Sequence, residues 1–398
     1  MQLLSYAALI SFIFILTQYA PALADSWPYR DQLKSEIRFW QDIFTKYDDH
    51  SFVLHDPVDV SLVYKTITTG AYDSNAAREH RILTAKYEIE NSLRSLADSL
   101  SEGRQPSAQE KKLRALFGPS VSAQQIRICA SRIRAQQGIA NRFYEGLLRS
   151  TAYLPALKKI FRTEGLPEEL AYLPHIESSF NLTARSKVGA AGMWQFMKPT
   201  AKTYSLKMNS IIDERYDPLA ASRAAAALLK NNYEDLQDWG LAITAYNYGL
   251  AGMYEASQTC GGNYMSVRKK FSSPHFKFAS KNFYPEFLAA VEIMQNPQAY
   301  FPDYAAAGRH TVVQQRLPKP ATLPSLAKKW GLETATLRQL NPGYSKKAWD
   351  GRLTVPAGYC VNVYRGHVDA AQAVASGGQE GKASPAAKTS PAENRQAL

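Results

Sequence analysis

At 398 residues, with 45% hydrophobic and 21% charged side chains, the chain has the composition of a folded globular protein of more than one domain, which excludes wholesale disorder. Its formal charge is +12, from 47 Lys and Arg against 35 Asp and Glu. That balance suits anionic polymers or lipid headgroups, and no recognisable nucleic-acid-binding module accompanies it, so nucleic acid is not an expected partner.

Met1 to Ala24 carries no charged side chain and ends in Ala22-Leu23-Ala24 before Asp25, which reads as a signal peptide over residues 1–24. Thr17 and Gln18 break its apolar run, which falls short of the roughly 20 residues that a membrane span needs. Cleavage and export are therefore expected rather than anchoring. Residues 25–145 read as mainly helical: Ile37, Trp40, Ile43 and Phe44 recur at helical spacing, as do apolar residues from Ile82 to Leu100. Between them, His50 to Pro57 suggests a short extended segment ending in a turn. His50, His55 and His80 lack metal-ligand spacing, and no metal or cofactor is expected.

Residues 146–305 hold the densest helix signals. Leu166-Pro167-Glu168-Glu169 starts a helix with proline and acids at its positive end, and Leu170, Leu173 and Ile176 continue it as an apolar stripe. Asp217-Pro218 opens another helix with a capping acid, followed by an alanine-rich run from Leu219 to Leu229. Leu241 to Asn247 forms a further helix. Over 309–364 the pattern becomes strand–helix–helix–strand, with Val312-Val313 and Leu353-Thr354-Val355 as strands and Leu323 to Trp330 and Ala335 to Leu340 as helices. Residues 369–398 are rich in Ala, Gly, Gln, Ser, Pro and Lys and are expected to be disordered. Cys129, Cys260 and Cys360 are widely spaced and permit either one disulfide or none.

The chemistry centres on His175-Ile176-Glu177-Ser178-Ser179-Phe180. A carboxyl at the end of an apolar helix, beside Ile176 and Phe180, is desolvated; desolvation raises its pKa, as a general acid near neutrality requires. Gly189-Ala190-Ala191-Gly192-Met193-Trp194-Gln195-Phe196-Met197 follows a polar loop. There Trp194 offers a stacking face to a sugar and Gln195 a hydrogen-bonding amide, unless Trp194 and Phe196 simply fill the core. Ala245-Tyr246-Asn247-Tyr248-Gly249 closes a helix with two phenols, an amide and a glycine stop.

Together these segments resemble the family-one lytic transglycosylases, whose soluble lytic transglycosylase domain carries Glu-Ser-x-Phe/Tyr, Gly-Ala-x-Gly-x-x-Gln and Ala-Tyr-Asn-x-Gly in this order. The wider arrangement is most similar to the membrane-bound lytic murein transglycosylase D group, in which a helical region precedes the catalytic domain and LysM modules follow it. The resemblance implies a mainly α protein with a goose-lysozyme-like helical catalytic domain over 146–305, a helical N-terminal region and a small α+β (βααβ) LysM-like unit. It implies Glu177 as catalytic acid/base and Ser186 in the loop beside it. Gln195, Tyr246 and Asn247 then line the cleft, with Met193 and Trp194 completing the candidate substrate-binding set.

The family also uses a tyrosine in an Asn-Tyr-x-Pro segment. Here Asn282-Phe283-Tyr284-Pro285 displaces the phenol by one position, so either Tyr284 or Tyr246 supplies it. Ser325 to Gly331, Leu337 to Pro342 and Leu353 to Pro356 match the LysM helices and last strand, although Lys319-Pro320-Ala321-Thr322 replaces its usual Gly-Asp-Thr opening.

The implied partner is peptidoglycan, in the periplasm, at the cell wall or at the outer membrane. The implied reaction is non-hydrolytic cleavage of the glycan after N-acetylmuramic acid, closing a 1,6-anhydro ring. Most glycosidases need two carboxylates, yet no acid lies between Ser178 and Thr203, and the next are Asp213, Glu214 and Asp217. A single-carboxylate mechanism is therefore favoured. Two alternatives stand beside it: a hydrolytic muramidase, if Asp213 or Glu214 reaches the cleft, and a non-catalytic peptidoglycan-binding scaffold.

Overall fold

The structure, a computed structural model, describes residues 27–305 and 311–367. The expected signal peptide and the expected disordered tail lie outside the described residues. The described chain is mainly helical, and among its residues no helix is long and apolar enough to cross a membrane.

The N-terminal part opens with α1 (Lys34–Thr45), which buries Ile37, Phe39, Trp40, Ile43 and Phe44. It is less uniformly helical than its sequence suggests. β1 (Ser51–His55), β2 (Val63–Thr68) and a later β3 (Arg134–Gln137) form an antiparallel sheet in the order β2-β1-β3, with Phe52 opposite both Ile67 and Gln137. β3 reads Arg-Ala-Gln-Gln and has no strand pattern of its own; pairing with buried β1 imposes its conformation. Between β2 and β3 lie α2 (Asn75–Glu102), α3 (Ala108–Arg114) and α4 (Ala123–Ala130). Ser74 caps α2 and Gly103 ends it in the left-handed region. Leu93 and Leu96 of α2 meet Leu113 and Ile126 in a small core of their own.

The central part comprises α5 (Ala140–Ser150), α6 (Leu154–Thr163), α7 (Leu173–Ser178), α8 (Lys198–Thr203), α9 (Pro218–Leu236), α10 (Trp239–Tyr248), α11 (Leu250–Cys260), α12 (Tyr264–Lys270), α13 (Phe278–Gln295) and α14 (Pro297–Tyr300). Small buried side chains at Ala221, Ala224, Ala225 and Ala226 let α9 pack closely against α6 and α10. α13 runs through the same core and against α1, where Trp40 Nε1 donates to Asn282 Oδ1 at 3.3 Å. Pro285 inside α13 has no N–H for the Lys281 carbonyl. That carbonyl accepts instead from Tyr264 Oη at 3.1 Å and Arg268 Nε at 3.2 Å, so α13 is tied to α12 where its own ladder is interrupted.

The C-terminal unit follows the expected strand–helix–helix–strand order with one correction. β4 (Val312–Arg316), α15 (Leu323–Trp330), α16 (Thr334–Leu340) and a short α17 (Lys346–Trp349) precede the closing strand β5, which is Cys360–Tyr364 and not Leu353 to Val355. Val355 makes only an isolated bridge to Ala321. Pro356 follows it and cannot donate to a ladder, whereas Val361 and Val363, both fully buried, alternate into the unit's core.

The unit is built onto the central helices rather than hung from them. Asn362 Nδ2 donates to the Asp217 carboxylate at 3.0 Å, Val312 N to Ala152 O at 3.0 Å and Ser345 N to Ile211 O at 2.8 Å. Ile212 sits in the unit's own apolar core. The seam holds a cavity of about 1170 Å³ whose charged lining is cationic (Arg149, Arg338 and Lys346) and which does not include Glu177. The three cysteines are unpaired.

Candidate active site

A 3-10 turn, Glu168–Tyr172, leads directly into α7, and Leu170 and Leu173 anchor both in the core. His175 is fully buried between Phe143 (ring centroids 5.1 Å apart) and Phe180 (4.7 Å), and neither ring nitrogen has a partner. Burial, with the Arg149 charge adding to it, lowers its pKa to about 3, so the imidazole is neutral. Glu177 lies half-buried near the end of α7, and no hydrogen bond engages its carboxyl among the described residues. Burial raises its pKa from 4.5 to about 8.

Beyond it the backbone makes two consecutive left-handed residues, Ser179 (φ 51°) and Phe180 (φ 57°), a costly conformation for side chains with a Cβ. The surroundings hold it in place. Phe180 N donates to Pro174 O at 2.9 Å and Arg149 Nη2 to Ser179 O at 2.8 Å. The Ser179 carbonyl also comes so close to Gly146 that a Cβ there would lie 2.6 Å from it. Ser178 Oγ, donating to Met193 O at 2.9 Å, ties the helix end to the next loop.

That loop folds on itself. Ser186 Oγ accepts from Ala190 N at 3.0 Å, and Ala191 exchanges backbone hydrogen bonds with Phe196 at 3.1 Å. Gly192 (φ 77°) lies against the Arg215 carbonyl, where any Cβ would clash at 1.8 Å. Arg215, which sequence reasoning missed, is the buried brace. Its guanidinium donates to Gly189 O at 3.0 Å and Phe196 O at 3.3 Å, and pairs with Asp213 at 2.7 Å. Gln195 is half-buried at φ 49°, and its Nε2 donates to Gly192 O at 2.6 Å.

Two expectations fail here. Trp194 offers no stacking face: its ring is fully buried and its Nε1 donates to Ser222 Oγ at 2.8 Å. The Met193 side chain is likewise buried, leaving only its backbone to act in the loop. In this Gly-Ala-Ala-Gly-Met-Trp-Gln-Phe segment the large apolar side chains fill the core and the Gln195 amide stays half-buried.

The opposite wall comes from α10 and α13. Tyr246 Oη donates to Trp194 O at 2.8 Å, and burial, with the Glu177 charge adding to it, holds its phenol well above the ordinary range. Asn247 Oδ1 accepts from Ser280 Oγ of α13 at 2.9 Å. The Phe283 ring lies parallel to Tyr246, 5° between planes and 6.4 Å between centroids. Tyr284 points elsewhere: it is fully buried and donates to Pro28 O at 2.7 Å. Of the two phenols weighed, the one beside Glu177 is therefore Tyr246. Asp213 and Glu214 do not supply a second free acid either, being paired with Arg215 and with Lys207 (3.0 Å). A carboxyl the sequence reading passed over does interact with Glu177. Glu286 of α13 is half-buried and is held well above the usual carboxylate range by burial first and the Glu177 charge second, with Arg134 opposing.

Residues 156–262 match the Transglycosylase SLT domain family. The matched segment contains Glu177, Ser186, Gln195, Tyr246 and Asn247 and stops short of α13. The membrane-bound lytic murein transglycosylase D of Escherichia coli K12 is 27% identical over 216 residues, which is 53% of this chain and 47% of that protein. The chain thus matches about half the length of that curated relative. The crystal structure of the 70 kDa soluble lytic transglycosylase of Escherichia coli aligns over 57% of this chain and 44% of that one, with 14% identity and a TM-score of 0.30. So loose a superposition carries no weight for the chemistry.

Proposed function

We propose that the protein is an exported lytic transglycosylase that cleaves the glycan strands of peptidoglycan, with Glu177 as its acid and then its base. The observation that carries this reading is the state of Glu177: half-buried, without a hydrogen-bond partner among the described residues, and raised to about 8 inside the SLT segment. Such a carboxyl is protonated at neutral pH and loses its proton readily enough to serve in both directions.

In the proposed reaction the Glu177 proton goes to the glycosidic oxygen as the bond from C1 of N-acetylmuramic acid breaks. The substrate's N-acetyl group stabilises the oxocarbenium-like centre. The C6 oxygen then bonds to C1, and its proton returns to Glu177, which regenerates the acid and leaves a 1,6-anhydro end. Ser186, Gln195, Tyr246 and Asn247 are the proposed cleft-lining groups. Each is fixed by a hydrogen bond, Ser186 and Gln195 within their own loop, Tyr246 to the Trp194 carbonyl and Asn247 to Ser280 of α13, which suits a preorganised site. The C-terminal βααβ unit is the proposed glycan-binding module, and the periplasmic face of the envelope the proposed location.

A second reading, hydrolysis by water on the same site, draws support from Glu286, since two carboxyls are what hydrolytic glycosidases employ. Mass spectrometry of muropeptides released by the purified protein separates the two. Products lighter by one water than hydrolytic ones, absent with Glu177→Gln, are the expected result. Products of normal reducing-end mass would transfer the protein to the hydrolytic reading, and full activity in Glu177→Gln would end both.

A further inference from the structure

The cavity at the seam between the central helices and the C-terminal unit is separate from Glu177 but begins close to it. Its volume is about 1170 Å³, and its lining on the central side includes Arg149 and the loop from Phe180 to Thr183. Phe180 stands three residues after Glu177, so their Cα atoms lie within about 11 Å of one another, no more than the length of two linked pyranose rings. The other wall comes from α16, α17 and the turn between them, with Arg338, Tyr344, Lys346 and Trp349. The chemistry of this lining is one-sided: it holds three cations, no carboxylate, and the aromatic rings of Tyr153, Tyr344 and Trp349. Glu145 pairs with Arg149 at 3.2 Å and Asp350 with Lys346 at 2.8 Å, but neither acid lines the cavity. Arg338 makes no ion pair among the described residues and lies over the Trp349 ring, 5.6 Å from its centroid. The Arg149 Nε is buried and likewise has no acceptor there, an unusual state for a guanidinium N–H.

Resting on the lytic reading of Glu177, we propose that this seam binds the peptide stem of a peptidoglycan strand, held by its free carboxylates. Arg338 and Lys346 receive the carboxylates from one wall and the Arg149 Nε from the other. A guanidinium presents its N–H donors in a planar fork that fits a carboxylate. A neutral sugar would leave Arg338 and the Arg149 Nε without an acceptor for which they are suited. The apolar part of the peptide lies against Tyr153 and Trp349. Stems branch from the muramic acid rings, so one hanging from a ring beside Glu177 comes within reach of the seam. The enzyme then distinguishes strands that carry their peptides from strands that have lost them, and the C-terminal unit supplies half of the surface that does so.

The test uses the full chain carrying Glu177→Gln, so that bound strands are not cut. It is titrated calorimetrically with the free stem tetrapeptide, with the same peptide after amidation of its carboxylates, and with a peptide-free glycan oligomer. The acidic peptide should bind, and amidation should weaken it by about 10-fold or more, the worth of a charge-assisted hydrogen bond. Arg338→Gln with Lys346→Gln should weaken the acidic peptide by a similar factor at an unchanged melting midpoint, since both side chains are exposed. With Glu177 restored, the same pair should raise KM for peptide-bearing strands more than for peptide-free ones. Arg149 is left in place because it also holds the Ser179 carbonyl. No binding of the acidic peptide, or equal affinity for its acidic and amidated forms, overturns the inference. So does equal affinity of parent and double variant, and an equal loss for the peptide-free oligomer would give the seam to the glycan instead. A Glu177→Gln protein that still cleaves overturns the lytic reading and leaves the peptide titrations standing.

Discussion

Glu177 and Asp217 are both carboxyls drawn out of bulk water at a helix end, and their surroundings are opposite. Asp217 stands at the start of α9, where it accepts from Leu219 N at 3.0 Å, Ala220 N at 2.7 Å and Asn362 Nδ2 at 3.0 Å. The positive end of the helix dipole faces it. Glu177 stands at the end of α7, where the dipole disfavours negative charge, and accepts no hydrogen bond among the described residues. Burial raises the pKa of both, but at Asp217 the Ala220 and Asn362 hydrogen bonds and the Arg223 charge pull the other way, whereas at Glu177 nothing does. A carboxyl with its acceptor sites filled serves the fold; one left half-buried and without a partner among the described residues is available for chemistry.

Breaking each side of this comparison should give different losses. Glu177→Gln should lower the rate of glycan cleavage by about 10²- to 10⁴-fold, the usual contribution of a general acid/base, at full folding. Its stability should carry a pH signature. The folded pKa of about 8 lies above the ordinary 4.5, so this group's favourable contribution is complete below pH 4.5 and is lost as pH rises towards 8. The melting midpoint of Glu177→Gln relative to the native protein should therefore increase between pH 5 and pH 8; a difference independent of pH would mean that Glu177 is not held protonated.

Asp217→Ala should do the reverse. It removes a helix cap and strands buried Asn362, costing about 2–4 kcal/mol by denaturant unfolding, with cleavage per folded molecule little changed. Trp194→Phe loses one buried hydrogen bond, to Ser222, worth about 1 kcal/mol. KM should stay constant, whereas a large rise in KM would restore the stacking role that burial denies it. Smallest is Tyr284→Phe, which frees the Pro28 carbonyl for about 1 kcal/mol or less and should leave the pH profile untouched.

The sequence showed clearly what local rules govern. Glu177 at a helix end, the Asp217-Pro218 cap, the Gly249 stop and α15 (Leu323–Trp330) each depend on neighbours a few residues away. It concealed what depends on distant partners. β3 is a strand because β1 is there, and the Trp194 indole is buried because Ser222 of α9 offers it an acceptor. Glu286 feels the Glu177 charge only once α13 is laid against α7. A signal for it was nevertheless present: a lone acid between Tyr284-Pro285 and Phe287-Leu288 must either find a partner or carry a shifted pKa. Arg215 was overlooked because the acceptors through which it braces the loop, the Gly189 and Phe196 carbonyls, are backbone groups that leave no mark on side-chain patterns.

Asp217 has one further consequence. Its carboxylate both starts α9 in the central core and receives Asn362 from the final strand, while Ile212 is shared with the apolar interior of the C-terminal unit. The appendage is thus not a cargo module that can be cut off or transplanted at will. Severing it uncovers a buried charge and an oily face on the part left behind, so the two should melt together in a single calorimetric transition.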